Sequence, residues 1–258
     1  MTRSKPPADA ASFWDELRRY TPARIGLGRS GEALPTREVL AFGWAHARAR
    51  DAVHTPLDAA TLENDLRTAG FDVVQAASRA GDRATYLRRP DLGRAVDRAT
   101  AIRLRRGGFD VALVVGDGLS SLAVQRHAAP LLAALRALLE PLTLSPVVLV
   151  QQARVAIGDE IGERLGARLV VVLIGERPGL SSPDSLGAYL TFDPKPGRHD
   201  AQRNCVSNIR PEGLAIDAAA RKIAWLVHAA LDRGLTGVGL KDESEAPILD
   251  GGGASLPR

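Results

Sequence analysis

Asp110-Val-Ala-Leu-Val-Val-Gly-Asp-Gly-Leu-Ser120 is the stretch that decides the fold. Val111 to Val115 is a short, uninterrupted apolar run, and Gly116-Asp117-Gly118 turns the chain at its end. Two further runs of the same kind follow, Val147–Val150 and Leu169–Ile174. A stretch with helical spacing precedes each: about twenty residues after Ser120, then a shorter one near Asp159–Leu165. Strands apolar at every position are buried on both faces, and a parallel sheet covered by helices provides that burial. The expected class is α/β, with a doubly wound, mainly parallel sheet. In such sheets ligands bind beyond the carboxyl ends of the strands. Those ends carry Gly116-Asp-Gly-Leu-Ser120, Gln151-Gln-Ala-Arg-Val155 and Gly175-Glu-Arg-Pro-Gly-Leu180, so a binding rim is expected where these loops converge.

Toward the amino terminus the pattern is helical. Phe13, Leu17 and Tyr20 share one face of a helix over 12–20, and Ala23 to Thr36 is glycine-punctuated and irregular. Thr36 is placed to cap a helix running to Val53, and Asp58 another ending before Gly70. A strand pair is expected around Phe71–Gln75 and Ala84–Leu87, then a helix from Pro90 to Gly107-Gly108. Toward the carboxyl terminus, Ala188–Phe192 reads as an added strand and Asp193–Arg198 as a loop. Asn204–Ile209 follows, and Ile216–Leu231 reads as an amphipathic helix. Lys241–Arg258, charged and then Gly-rich, is expected to be disordered. The expected division is a helical N-terminal region (1–107), an α/β ligand-binding domain (108–240) and a tail (241–258).

Charge divides along the same line. The 258 residues carry a net charge of +4, but residues 1–107 carry +6 and residues 108–258 carry −2. The N-terminal excess is almost wholly arginine, which suits bidentate pairing with carboxylates on a partner protein. Few aromatics interleave with these arginines and acids are interspersed, so nucleic acid is not the expected partner. No apolar run approaches the roughly 18–20 residues that cross a bilayer. The start lacks a secretory pattern. One cysteine excludes an internal disulfide framework. A soluble, cytoplasmic protein is expected.

Nucleophilic, metal and nucleotide chemistry find weak support. Gly118-Leu-Ser120-Ser-Leu lacks the Gly-x-Ser-x-Gly elbow, and Cys205 has only His199 nearby in sequence. His46, His54, His127, His199 and His228 form no ligand pair at metal spacing. The third glycine of a dinucleotide fingerprint is missing after Gly116-Asp-Gly118, and no Walker-type Gly-Lys-Ser/Thr occurs. Asp117 and Glu176 fit either acid–base work or acceptance of hydrogen bonds from an amide-rich ligand or from backbone.

Six motifs, in order and with matching gaps, carry a resemblance. They are Thr21–Gly31 with Leu34-Pro-Thr36, Tyr86–Arg94, Asp110–Ser120, Ala153-Arg-Val-Ala-Ile-Gly-Asp-Glu-Ile-Gly162, Gly175–Leu180 and Asn204-Cys-Val-Ser-Asn-Ile209. From about Leu17 to Val238 the chain resembles the small (light) subunit of ethanolamine ammonia-lyase, a carbon–nitrogen lyase that depends on adenosylcobalamin. The resemblance implies a hetero-oligomer with a TIM-barrel large subunit. That partner holds ethanolamine and carries out the radical deamination to acetaldehyde and ammonia, while the small subunit closes over the cobalamin. It implies cofactor contacts at Val155, Glu176 and Cys205, no catalytic residue on this chain, and cobalt held within the corrin rather than by protein ligands. The absence of Asp-x-His-x-x-Gly agrees with a cofactor that keeps its own dimethylbenzimidazole below cobalt. The resemblance also raises a bacterial microcompartment as a location. The N-terminal segment, only about ten residues ahead of the first helix, speaks against encapsulation. Gln202 stands where the family often has an acid, leaving the partner of Arg203 open.

Overall fold

The computed structural model describes residues 8–244. Its centre is a six-stranded mixed sheet built from β1 (Val73–Ala77), β2 (Val111–Gly116), β3 (Leu144–Gln151), β4 (Leu169–Gly175), β5 (Leu186–Phe192) and β6 (Asn204–Ile209). The spatial order is β1-β3-β2-β4-β5-β6. β1 to β4 are mutually parallel, whereas β5 runs antiparallel to both β4 and β6. The α/β class therefore stands, and the parallel character is confined to the first four strands plus the direction of β6.

Among the described residues eight α-helices accompany the sheet: α1 (Ala8–Leu17), α2 (Thr36–His54), α3 (Ala59–Thr68), α4 (Arg83–Arg88), α5 (Arg98–Ala101), α6 (Ser121–Leu138), α7 (Ile157–Leu165) and α8 (Ile216–Arg233). Their faces follow from crossover handedness. The connections β1→β2 and β3→β4 move the same way across the sheet, and β2→β3 moves back. Right-handed crossovers then put α5 and α7 on one face and α6 on the other. The two cores agree. Val96, Ala101, Ile157, Ile161 and Leu165 pack on Ala112, Val114, Val148 and Val150. Leu62, Leu66, Val124, Leu131, Ile223 and Val227 pack on Val111, Leu113 and Val115. β2 and β4, buried at every position, are the strands whose continuous apolar runs required two covered faces.

The N-terminal half departs from expectation in three places, the first being that Thr36 begins α2 rather than capping it, with Pro35 at the cap position and no side-chain cap bond. Ala84–Leu87 lies in helix α4, not in a strand, because the Asp82 carboxylate accepts from the Thr85 N–H at 2.8 Å and caps a helical turn. The expected helix from Pro90 to Gly107 is broken. A 3₁₀ turn at Leu92–Arg94 is followed by extended backbone, where Ser78 bridges Val96 and Asp97 N–H donates to the Ala77 carbonyl. Asp97 then caps the four-residue α5. The strand expected around Phe71–Gln75 is β1, which joins the sheet beside β3 and so ties residues before 107 into it. Residues 245–258, most of the tail expected to be disordered, lie outside the described residues.

α2 is anchored near its end. Ala52 is its buried residue, Arg83 Nε donates to the Val53 carbonyl at 2.7 Å, and Ser121 Oγ donates to the Thr55 carbonyl at 2.6 Å. Upstream, Val39, Leu40, Phe42 and Trp44 stand exposed, Leu40 and Trp44 at 67% and 70%. Among the described residues no helix is long and apolar enough to cross a membrane.

Candidate functional site

Asp117 follows β2 at the carboxyl rim, and its carboxylate is used within the fold. It is buried, accepts from the Ala153 N–H at 2.9 Å, and sits 3.5 Å from the Arg83 guanidinium. Burial pushes its pKa up, opposed by the amide donors of the β3–α7 loop and by Arg83. Arg83 also donates to the Gly118 carbonyl at 2.8 Å. Tyr86 lies between Arg83 and Arg154, whose guanidinium carbons are 4.8 and 4.3 Å from the ring centroid. Its hydroxyl donates to the Ala153 carbonyl at 2.9 Å, and burial pushes its pKa up to about 12. These groups fix the Gln152–Val155 turn, in which Gln152 takes a left-handed φ of 57°.

Glu176 differs from Asp117. It follows β4, is half-buried, and its Oε2 accepts from Ser185 Oγ at 2.5 Å and from the Asn208 N–H at 3.3 Å. Both donors come from the added antiparallel part of the sheet. Gly187 lies beside it: a Cβ there would come within 2.9 Å of Glu176 Oε1 and 3.2 Å of Tyr189 Cε2. Only the missing side chain lets Glu176 and Tyr189 approach this surface. Asp117 and Glu176 thus have separate partners, and their arrangement favours hydrogen-bond acceptance over shared proton transfer.

Tyr189 connects the sequence-predicted residues. Cys205 on β6 lies directly opposite it on β5, so both side chains occupy the same face of the sheet. Cys205 is an exposed free cysteine, and desolvation pushes its thiol pKa up while Tyr189 opposes the shift. A raised pKa is the reverse of what an activated thiolate nucleophile requires. Ser120 is also unavailable as a nucleophile: it is buried, and its Oγ donates to the Pro183 carbonyl at 2.8 Å while accepting from Ala123 N–H. Tyr189 and the half-buried Val155 both line a cavity of about 360 Å3, together with Arg94, Arg154, Arg198 and Arg203.

Arg203 finds its partner across the fold. Its two terminal nitrogens donate to the Asp159 carboxylate at 2.6 and 2.7 Å, and Nη1 also donates to Thr191 Oγ1. Gln202 instead accepts from the His199 N–H at 2.8 Å. Sequence reasoning missed Tyr189 and the Arg203–Asp159 pair. The tyrosine interrupting an otherwise apolar strand was a signal for the first; 44 residues separate the members of the second. Among the described residues no three His, Cys, Asp or Glu side chains gather where they could hold a metal ion.

Comparison with known proteins agrees with the resemblance. Residues 11–241 match the family model for the ethanolamine ammonia-lyase light chain. The chain is 57% identical over 249 residues to the ethanolamine ammonia-lyase small subunit of Azotobacter vinelandii, covering 93% of this chain and 92% of that one. It is 55% identical over 254 residues to the small subunit of Pseudomonas aeruginosa strain LESB58, with 95% and 93% covered. The Ralstonia nicotianae small subunit is 55% identical over 249 residues, with 93% and 92% covered. A match along nearly the whole length places the chain in the ethanolamine ammonia-lyase light chain family.

Proposed function

We propose that this chain clamps adenosylcobalamin against a larger, TIM-barrel subunit, and that the two together deaminate ethanolamine to acetaldehyde and ammonia. The observation carrying this reading is the grouping of Val155, Glu176 and Cys205 around Tyr189 and Gly187 on one side of the sheet. A corrin is a broad ring rimmed by neutral amides. Glu176 offers it a carboxylate acceptor, and Val155 and Cys205 offer apolar contact. When bound, the cofactor supplies the radical that starts the rearrangement. This chain's part is to hold and orient it and to exclude water from one side. The chemistry itself belongs to the partner, and cobalt is held by the corrin.

The partner reading has its own support. Val39, Leu40, Phe42 and Trp44 are exposed apolar residues on α2, with Leu40 and Trp44 one turn apart on the same side, and Arg24 stacks over Phe42 at 5.7 Å. Arginines rimming exposed apolar groups suit an apolar partner surface edged with carboxylates. We assign this part of the N-terminal region to the large-subunit interface. A cytoplasmic enzyme, with a bacterial microcompartment as the alternative location, is the accompanying reading. Co-purification of a larger chain, followed by an absorbance scan for corrinoid in the complex, tests the proposal; a complex that takes up no corrinoid refutes the clamp.

A further inference from the structure

The cavity beside Val155 has a wall chemistry that an amide-rimmed ring does not require. Arg94, Arg154, Arg198 and Arg203 line it, and Asp200 is the one carboxylate on the wall. Two of the arginines are neutralised from behind: Arg203 by Asp159, and Arg198 by Asp193 at 2.7 Å. Arg94 and Arg154 have no carboxylate partner among the described residues. Arg154 stacks on Tyr86, which fixes its position without cancelling its charge.

Two guanidinium donors here are also unsatisfied. Nε of Arg154 and Nε of Arg203 are buried and have no hydrogen-bond acceptor. Asp200 Oδ1 lies 3.5 Å from the latter, an ion-pair distance without hydrogen-bond alignment. Buried N–H groups are normally paired, so two unpaired ones in residues that line the same cavity point to an absent acceptor. α7 starts at the same wall. Its first turn closes with Ile157 N–H on the Arg154 carbonyl, so helical geometry offers no acceptor to the preceding Val155 and Ala156 amides. Fixed positive charge, orphaned donors and a concave shape together select an anion with several acceptor oxygens. At about 360 Å3 the cavity has room for more than a bare anion.

We propose that this cavity is a phosphate-diester site, which takes the nucleotide tail of the corrinoid. The assignment rests on the cofactor reading above. The corrin side chains of cobalamin are neutral amides, and its phosphate diester is the peripheral group with a fixed negative charge. Glu176 and the arginine cavity then divide the recognition, the carboxylate facing amide N–H groups and the guanidinium groups facing phosphate.

The test uses the two-subunit complex, stripped of corrinoid, as wild type and as Arg94→Gln, Arg154→Gln and Arg154→Lys. Equilibrium dialysis read by corrinoid absorbance compares cobalamin with cobinamide, which lacks the phosphate, ribose and base. Line-broadening in phosphorus NMR follows inorganic phosphate on the same samples. Each Gln variant is expected to weaken cobalamin binding about tenfold or more while leaving cobinamide unchanged, with Arg154→Lys intermediate. Inorganic phosphate should broaden with the wild type and not with the Gln variants. Equal losses for both corrinoids, or no loss for either, overturn the assignment. If no corrinoid binds yet phosphate still broadens in an arginine-dependent way, the anion site stands for another phosphate ester and the cofactor reading fails.

Discussion

The guanidinium of Arg203 meets the carboxylate of Asp159 through two hydrogen bonds, where their side chains are only 3% and 1% exposed. Arg203 lies two residues before Cys205, and Asp159, four residues after Val155, is in the first turn of α7. One ion pair therefore fixes the relative position of two candidate contact residues from different elements. Breaking a buried pair leaves an uncompensated charge and costs about 3–5 kcal/mol. Asp159→Asn should lower unfolding stability by that order. The double variant Asp159→Leu/Arg203→Met, with no buried charge, should regain much of it. Urea unfolding of the three proteins checks this; a double variant no more stable than Asp159→Asn would locate the cost elsewhere.

Cys205→Ala and Glu176→Gln keep the shape of the site while removing contact groups. Trimming one partly buried contact is worth about 1–2 kcal/mol, roughly a 5- to 30-fold change in an equilibrium. Both variants should need more adenosylcobalamin for half-maximal ammonia release, with turnover near wild type at saturation. Turnover that collapses in Cys205→Ala despite full corrinoid occupancy would assign that thiol a chemical role.

His127 on α6 gives the fold an acid-side weakness. It is buried, Nε2 has no hydrogen-bond partner, and the nearest carboxylate, of Asp184, is 3.8 Å away. Burial pushes its pKa below the ordinary 6.5; Arg126 adds to the shift, and Asp184 and Glu212 oppose it. A group whose folded-state pKa is depressed contributes stability present above its unfolded value and lost as pH falls through the folded one. His127→Gln should therefore show a smaller fall in urea midpoint between about pH 7.5 and about pH 5 than the wild type. An identical fall in both would show that other groups govern the acid side.

The exposed apolar residues on α2 predict a variant that folds but assembles poorly. Leu40→Glu and Trp44→Glu replace side chains that are 67% and 70% exposed, so far-ultraviolet dichroism and unfolding midpoint should be unchanged. Association with the large subunit should weaken by at least about tenfold for a central apolar contact. Arg24→Ala should lose less, and its effect should shrink as salt rises. Unchanged assembly in both Glu variants would move the interface off α2.

How much of this was legible in the sequence follows from what each signal depends on. The runs at Val111, Val147 and Leu169 identified β2, β3 and β4, because burial on two faces leaves an apolar run that no local ambiguity hides. The rim loops followed from strand polarity alone. Ala84–Leu87 misled because Thr85 and Tyr86 favour strands, while Asp82, just upstream, supplied the cap that decided for helix. The antiparallel setting of β5 was not legible: strand direction depends on the Glu176–Ser185 connection returning beside β4, which composition does not encode. Within the site, Val155, Glu176 and Cys205 came from resemblance. Tyr189 and the arginine-lined cavity needed the sheet register, which aligns residues far apart in the chain.

Ammonia release from ethanolamine, with adenosylcobalamin present, is the most direct measurement of subunit division. Three samples suffice: this chain alone, the large subunit alone, and the two mixed. Release is expected only from the mixture, because on the proposed reading this chain only holds and orients the cofactor, and neither Cys205 nor Ser120 is an activated nucleophile. Turnover by this chain in a preparation shown to be free of the large subunit would contradict the clamp reading.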